Sequence, residues 1–138
     1  MAVSGVGGVA VPAETTAYGH IATSGEVESE MLTEGNTELA VREYFKDIPV
    51  MIQIARCESH FRHTLADGSV LQGRVDSADT GVMQINKRYH LSTANKLGLD
   101  ITKLEGNMAY ARHLYEKQGT QPWRASAACW KGNLALAK

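Results

Sequence analysis

Apolar residues recur at helical spacing along most of the chain's second half and give way to short-period alternation in one place only. Counting from Glu58, Met51 and Ile54 fall at i−7 and i−4 and Phe61 at i+3, so on a helix all four share one face. Pro49, after Asp47 and Ile48, suits a first helical turn and predicts a helix over 49–59. A shorter amphipathic helix is predicted over 37–45, with Leu39, Val41, Tyr44 and Phe45 apolar and Asn36 or Thr37 as cap. Further helices are predicted over 91–97, stopping at Gly98, and over 105–118, with Met108, Ala111, Leu114 and Tyr115 inward and Gly119 past its end. Pro122 is expected to open a last helix and Gly132 to close it. Between the helices, Asp67-Gly68-Ser69 marks a turn, and residues 70–75 and 80–86 read as two strands around Asp76-Ser77-Ala78. The expectation is an α+β fold, mainly α, with one small β-hairpin.

Two carboxylates stand out against this pattern. Glu58 lies on the apolar face of its helix, where an ionised group is costly without a partner. Burial there raises the carboxyl pKa, which suits a general acid working near neutral pH. Asp79 sits among Ser77, Thr80 and Gly81, a polar turn in which an aspartate is expected to stay ionised. Two carboxylates whose pKa values are set apart are the usual equipment for cleaving a glycosidic bond. Taken singly, a glutamate at a helix end is most often solvated, and an aspartate in a hairpin most often forms the turn.

The residues around them shift that balance. Cys57-Glu58-Ser59-x-Phe61, followed by Gly81-x-Met83-Gln84-Ile85-Asn86, resembles the lysozyme-like superfamily, in particular the soluble lytic transglycosylase domain of murein-cleaving enzymes. The resemblance runs on through Asn107-Met108-Ala109-Tyr110-Ala111 to the stretch from Trp123 to Trp130, covering about residues 37–131. It implies a lysozyme-like fold with the hairpin beside an active-site cleft, and cleavage of the β-1,4 bond between N-acetylmuramic acid and N-acetylglucosamine in peptidoglycan. By resemblance Glu58 is the catalytic acid and base, and Ser59, Gly81, Met83, Gln84, Asn86, Tyr89 and Trp123 fall on the substrate side. Gly81 would let a sugar approach the backbone, and the Gln84 amide would bond an acetamido group or orient Glu58. Trp130 reads as core, while Trp123 suits either core or groove. Asp79 matches the second carboxylate of animal-type lysozymes, a position many transglycosylases leave without an acid. Either water or the substrate's own 6-hydroxyl then completes the reaction, the latter giving a 1,6-anhydro end. A glycan-binding module without turnover is the reading from a different class. The small resuscitation-promoting muralytic domains also resemble this chain at its two cysteines, and that likeness implies a Cys57–Cys129 disulfide. Neither metal nor cofactor is implied.

Composition narrows the partners. With 138 residues, 43% hydrophobic and 21% charged, the chain suits one core-forming domain over 37–138. Residues 51–138 carry seven acidic against twelve basic side chains, a mildly basic body suited to an anionic polymer such as murein. It lacks the dense Lys/Arg stripe with interleaved aromatics of a nucleic-acid binder, and no apolar run is long enough to span a bilayer. Residues 1–36 are small, polar and acidic, and read as an arm or linker; no basic residue precedes the apolar start, so an intact secretory signal is not expected. The expected setting is a bacterial envelope, periplasmic or secreted, or a phage, with the protein acting as a monomer. Cys57, His60 and His63 at i, i+3 and i+6 invite a zinc site, but that spacing drifts around a helix rather than converging.

Overall fold

A computed structural model describes residues 34–137, with side chains from 35 to 133. The expected arm therefore lies outside the described residues, apart from its last three, which begin the first helix. In chain order the elements are α1 (Glu34–Tyr44), α2 (Pro49–Ser59), β1 (Asp79–Thr80), β2 (Ile85–Asn86), α3 (Lys87–Lys96), α4 (Leu104–Gln118), a 3-10 turn (Gln121–Ser126) and α5 (Ala127–Ala137). The fold is mainly helical with one small antiparallel sheet, and Thr37–Lys138 forms one compact unit. No helix among the described residues is long and apolar enough to cross a membrane.

The helices follow their apolar stripes. Met51 and Ile54 on α2 are fully buried and Phe61 nearly so, as the spacing predicts. On α4 the inward residues are Met108, Ala111 and Leu114, joined by Asn107 and Tyr110. α2 packs chiefly against α5, and the Cys57–Cys129 disulfide, with Cα atoms 6.1 Å apart, bonds the two helices where they meet. Trp130 is buried in the same core.

Several elements depart from expectation. The second predicted strand is cut in two, because Gly81–Gln84 forms a tight turn with φ of 75° at Gly81 and 52° at Gln84. Asp79 then faces Asn86 and Thr80 faces Ile85. The apolar residues Val82, Met83 and Ile85 are all buried, whereas a strand with one wet face would alternate. The turn at Asp76–Ala78 does form, but residues 70–75 make no strand; two isolated bridges, Gln72 with Thr80 and Val70 with Thr64, stand in its place. α3 starts at Lys87, well before Leu91, because the Asn86 side chain accepts the Arg88 amide and caps it; with only Ala94 buried, its own stripe is faint. At the C-terminal end, Gln121–Ser126 is a 3-10 turn, and α5 runs through Gly132 to Ala137.

Candidate functional site

Glu58 stands in the last turn of α2, where the chain reverses abruptly. His60 and Phe61 both take left-handed backbone conformations, with φ of 54° and 60°. Each costs a side-chain-bearing residue on the order of 1 kcal/mol, and such strain gathers at sites where geometry is over-determined. What fixes it is local. The His60 amide donates to Arg56 O, and Phe61 is buried beneath the Arg42 and Arg56 guanidinium groups. Ser59 is buried, its hydroxyl donating to Ala55 O at 3.0 Å and accepting from the Arg62 amide at 3.3 Å. Ser59 therefore closes the helix end and is not open to a ligand, contrary to its expected place on the substrate side.

The Glu58 carboxyl is half-buried, and Ser126 Oγ donates to its Oε2 at 2.6 Å. Burial pushes its pKa above the ordinary carboxylate value; the Ser126 bond opposes that and the charge of Asp79 reinforces it. The sequence carries an indirect signal for Ser126. If Cys57 bonds Cys129, the residue one helical turn before Cys129 must come near the neighbour of Cys57.

The hairpin that carries Asp79 is held by polar side chains. His63 Nδ1 accepts the Val82 amide at 3.0 Å while Nε2 lies 2.8 Å from Thr102 O, so the ring is neutral with its proton on Nε2. Asn107 Oδ1 accepts the Met83 amide at 2.9 Å, and its Nδ2 donates to Thr80 O and Ile101 O. Gly81 lies against both: a Cβ there would come within 2.5 Å of Asn107 Nδ2 and 2.6 Å of His63 Cε1. Close approach of these two side chains, rather than of a sugar, is what requires glycine. Met83 is likewise fully buried; its carbonyl accepts the Trp123 indole N–H at 2.9 Å, and its side chain is closed to a ligand.

Asp79, Gln84, Asn86, Tyr89 and Trp123 do come together, around a cleft of about 360 Å³ that His90, Gln118 and Pro122 also line. Glu58 is not part of that lining. It adjoins the cleft through Ser126, three residues from Trp123, and through the field of Asp79. Tyr89 is largely exposed, whereas Trp123 is buried and gives the cleft only part of its wall. Asn86 is heavily engaged, donating to Asp76 and to Asp79 at 3.0 Å each besides capping α3. Gln84 Nε2 donates to Gly81 O at 3.0 Å, which orients the amide over the turn. Asp79 departs from expectation. Burial and the neighbouring Asp76 raise its pKa, against the Asn86 hydrogen bond and Arg88, so it shifts in the same direction as Glu58. Cys57 is bonded to Cys129, His60 is exposed and His63 is spent on backbone groups, so the three residues share no centre.

Compared with family models, curated proteins and solved structures, the chain finds no match.

Proposed function

We propose that the chain is a lysozyme-like muramidase that cleaves the bond between N-acetylmuramic acid and N-acetylglucosamine in peptidoglycan, by the lytic transglycosylase route. The observation that carries this reading is Glu58, a half-buried carboxyl whose pKa is raised by burial and whose Oε2 is anchored by Ser126 beside a polar cleft. A carboxyl of that kind keeps its proton closer to neutral pH than a solvated one and can deliver it to a glycosidic oxygen. As the cation develops, the substrate's acetamido group closes on it. Glu58, now ionised, then takes the proton of the 6-hydroxyl and a 1,6-anhydro end forms. The mainly helical layout with one small antiparallel hairpin is consistent with the fold implied by the motif resemblance. The disulfide supports an oxidising compartment such as a cell envelope or the exterior. Murein glycan strands are the partner, met by a single copy of the chain.

Glu58→Gln is the test. It is close to isosteric and should leave the fold intact while cutting release of muropeptides from purified sacculi by at least about a hundredfold. Substantial remaining activity would remove Glu58 as the acid, and a wild-type protein that binds sacculi without cutting them would make this a binding module.

One observation favours a second reading, hydrolysis with Asp79 as partner: the charge of Asp79 reaches Glu58. On the transglycosylase route Asp79→Asn should cost less than about tenfold and products should keep anhydro ends. Reducing-end products, lost together with activity in that variant, would establish the hydrolytic route.

A further inference from the structure

Ser126 has one hydroxyl proton and two acceptors within reach, Glu58 Oε2 at 2.6 Å and Trp123 O at 3.1 Å. The Trp123 carbonyl also accepts the Trp130 indole N–H at 3.1 Å, so Ser126 would share it with a second donor. The shorter contact has the length of a charge-assisted bond from hydroxyl to carboxylate. While Glu58 is ionised, Ser126 therefore directs its proton at Oε2. Oε2 is then occupied as an acceptor, while Oε1 has no hydrogen-bond partner among the described residues.

From this we infer that Ser126 is a positioning residue that anchors Glu58 through Oε2, stabilises its ionised form by donating to it, and leaves Oε1 as the oxygen that meets the substrate. The inference rests on Glu58 being the general acid. A protonated carboxyl has two sites for its hydrogen. Placing it on Oε2 would turn that oxygen into a donor towards Ser126, which would have to swing its own hydrogen onto Trp123 O. That arrangement keeps both hydrogen bonds, because a carbonyl can accept from Ser126 and Trp130 together, so the acid proton is not confined to one oxygen, and Oε1 is the oxygen left open to give a proton away and take one back. No bond of Ser126 is made or broken in the cycle. The proton leaves Oε1 for the glycosidic oxygen and later returns from the 6-hydroxyl, while Oε2 stays anchored.

The charged groups near Glu58 leave this role to Ser126. Asp79, on the hairpin, is the titratable neighbour whose charge reaches it. Arg56, on the same helix, is turned to Gln53 and Phe61, and Arg62 to Ser59 O. On the facing segments Arg124 bonds Gln121 and Lys131 lies over Trp130.

The test compares Ser126→Ala and Ser126→Thr in the full chain. NMR follows the Glu58 carboxyl through its titration, and sacculus cleavage is measured against pH. Removing the donor should raise the Glu58 pKa, carry the alkaline limb of the rate profile to higher pH, and lower kcat by about tenfold. Threonine, which keeps the hydroxyl, should restore all three. An unchanged titration with an unmoved limb overturns the inference, as does a loss that is even across pH and persists in the threonine variant. Should the wild-type protein leave murein intact, the glycosidase reading fails on its own, and the titration still decides whether Ser126 donates to Glu58.

Discussion

Glu58 and Asp79 lie within electrostatic reach of each other, in two parts of the molecule that are held in different ways. The helical side is a layered apolar core. Met51, Ile54, Phe45 and Trp130 enclose the α2–α5 contact, and a covalent bond closes it next to Glu58. On the hairpin side, the turn at Gly81–Gln84 is positioned by two side chains, His63 and Asn107, that reach in from outside and occupy its amides and carbonyls one by one. Apolar packing is non-directional and tolerates small shifts, whereas a buried polar contact either has its partner or loses most of its value. One side of the site should thus soften gradually under mutation while the other fails abruptly.

The sharpest way to break that contrast is to remove the covalent bond from the helical side. Cys57 and Cys129 are separated by 72 residues, and a loop of that length implies about 4 kcal/mol of stabilisation in the chain-entropy account. The double alanine variant should lose about that much in urea unfolding while its core packing persists. A loss below about 1 kcal/mol would mean that α2 and α5 need no bond to stay together.

On the hairpin side, Asn107→Ala deprives the Met83 amide and the Thr80 and Ile101 carbonyls of their partner at a fully buried position. It should cost about 3 kcal/mol, with hydrogen exchange rising at Met83 before it rises in α2. Uniform exchange across both regions would show that the hairpin is not held separately.

His63 supplies the gentlest probe. Burial holds its pKa below the ordinary histidine value, since a proton on Nδ1 would displace the Val82 amide. The unfolded chain therefore binds this proton first. The contribution of His63 is fully present above about pH 6.5 and is lost as pH falls from there through the folded pKa. Glu58 works in the opposite sense: its raised pKa favours the folded state at low pH, and that contribution is lost as pH rises through the folded value. Urea midpoints measured in a Glu58→Gln background should thus fall more steeply on acidification than in the parent. His63→Gln should remove most of that slope, and a slope that survives the substitution would place the titration elsewhere.

The same contrast explains which parts of the structure could be read from the residues. The boundaries of α2 and the end of α4 at Gly119 follow from Pro49, the apolar stripe and a glycine with φ of 64°. The stripe also placed Glu58 on its face. The hairpin turn could not be read in that way, because Gly81–Gln84 is shaped by His63 and Asn107, which are 19 and 24 residues from the amides they hold. Periodicity carries no record of such long-range polar contacts. Ser59, Gly81 and Met83 are buried for the same reason, as structural supports, while Gln84, Tyr89, His90 and Gln118 are among the residues that line the cleft. Gly132 failed as a stop signal because glycine inside a helix is a cost rather than a prohibition.

The span closed by the disulfide encloses the whole hairpin together with α3 and α4. Within that span, residues 65–69 and 74–75 lie exposed, Arg74 among them. A protease that cuts after Arg74 leaves Cys57 on one piece and Cys129 on the other, so the two pieces remain one molecule. The nick falls in the exposed bend before the hairpin and spares the Glu58–Ser126 contact, which lies beside the surviving bond. In surroundings rich in peptidases, the molecule can be cleaved there without coming apart, and only reduction releases the halves.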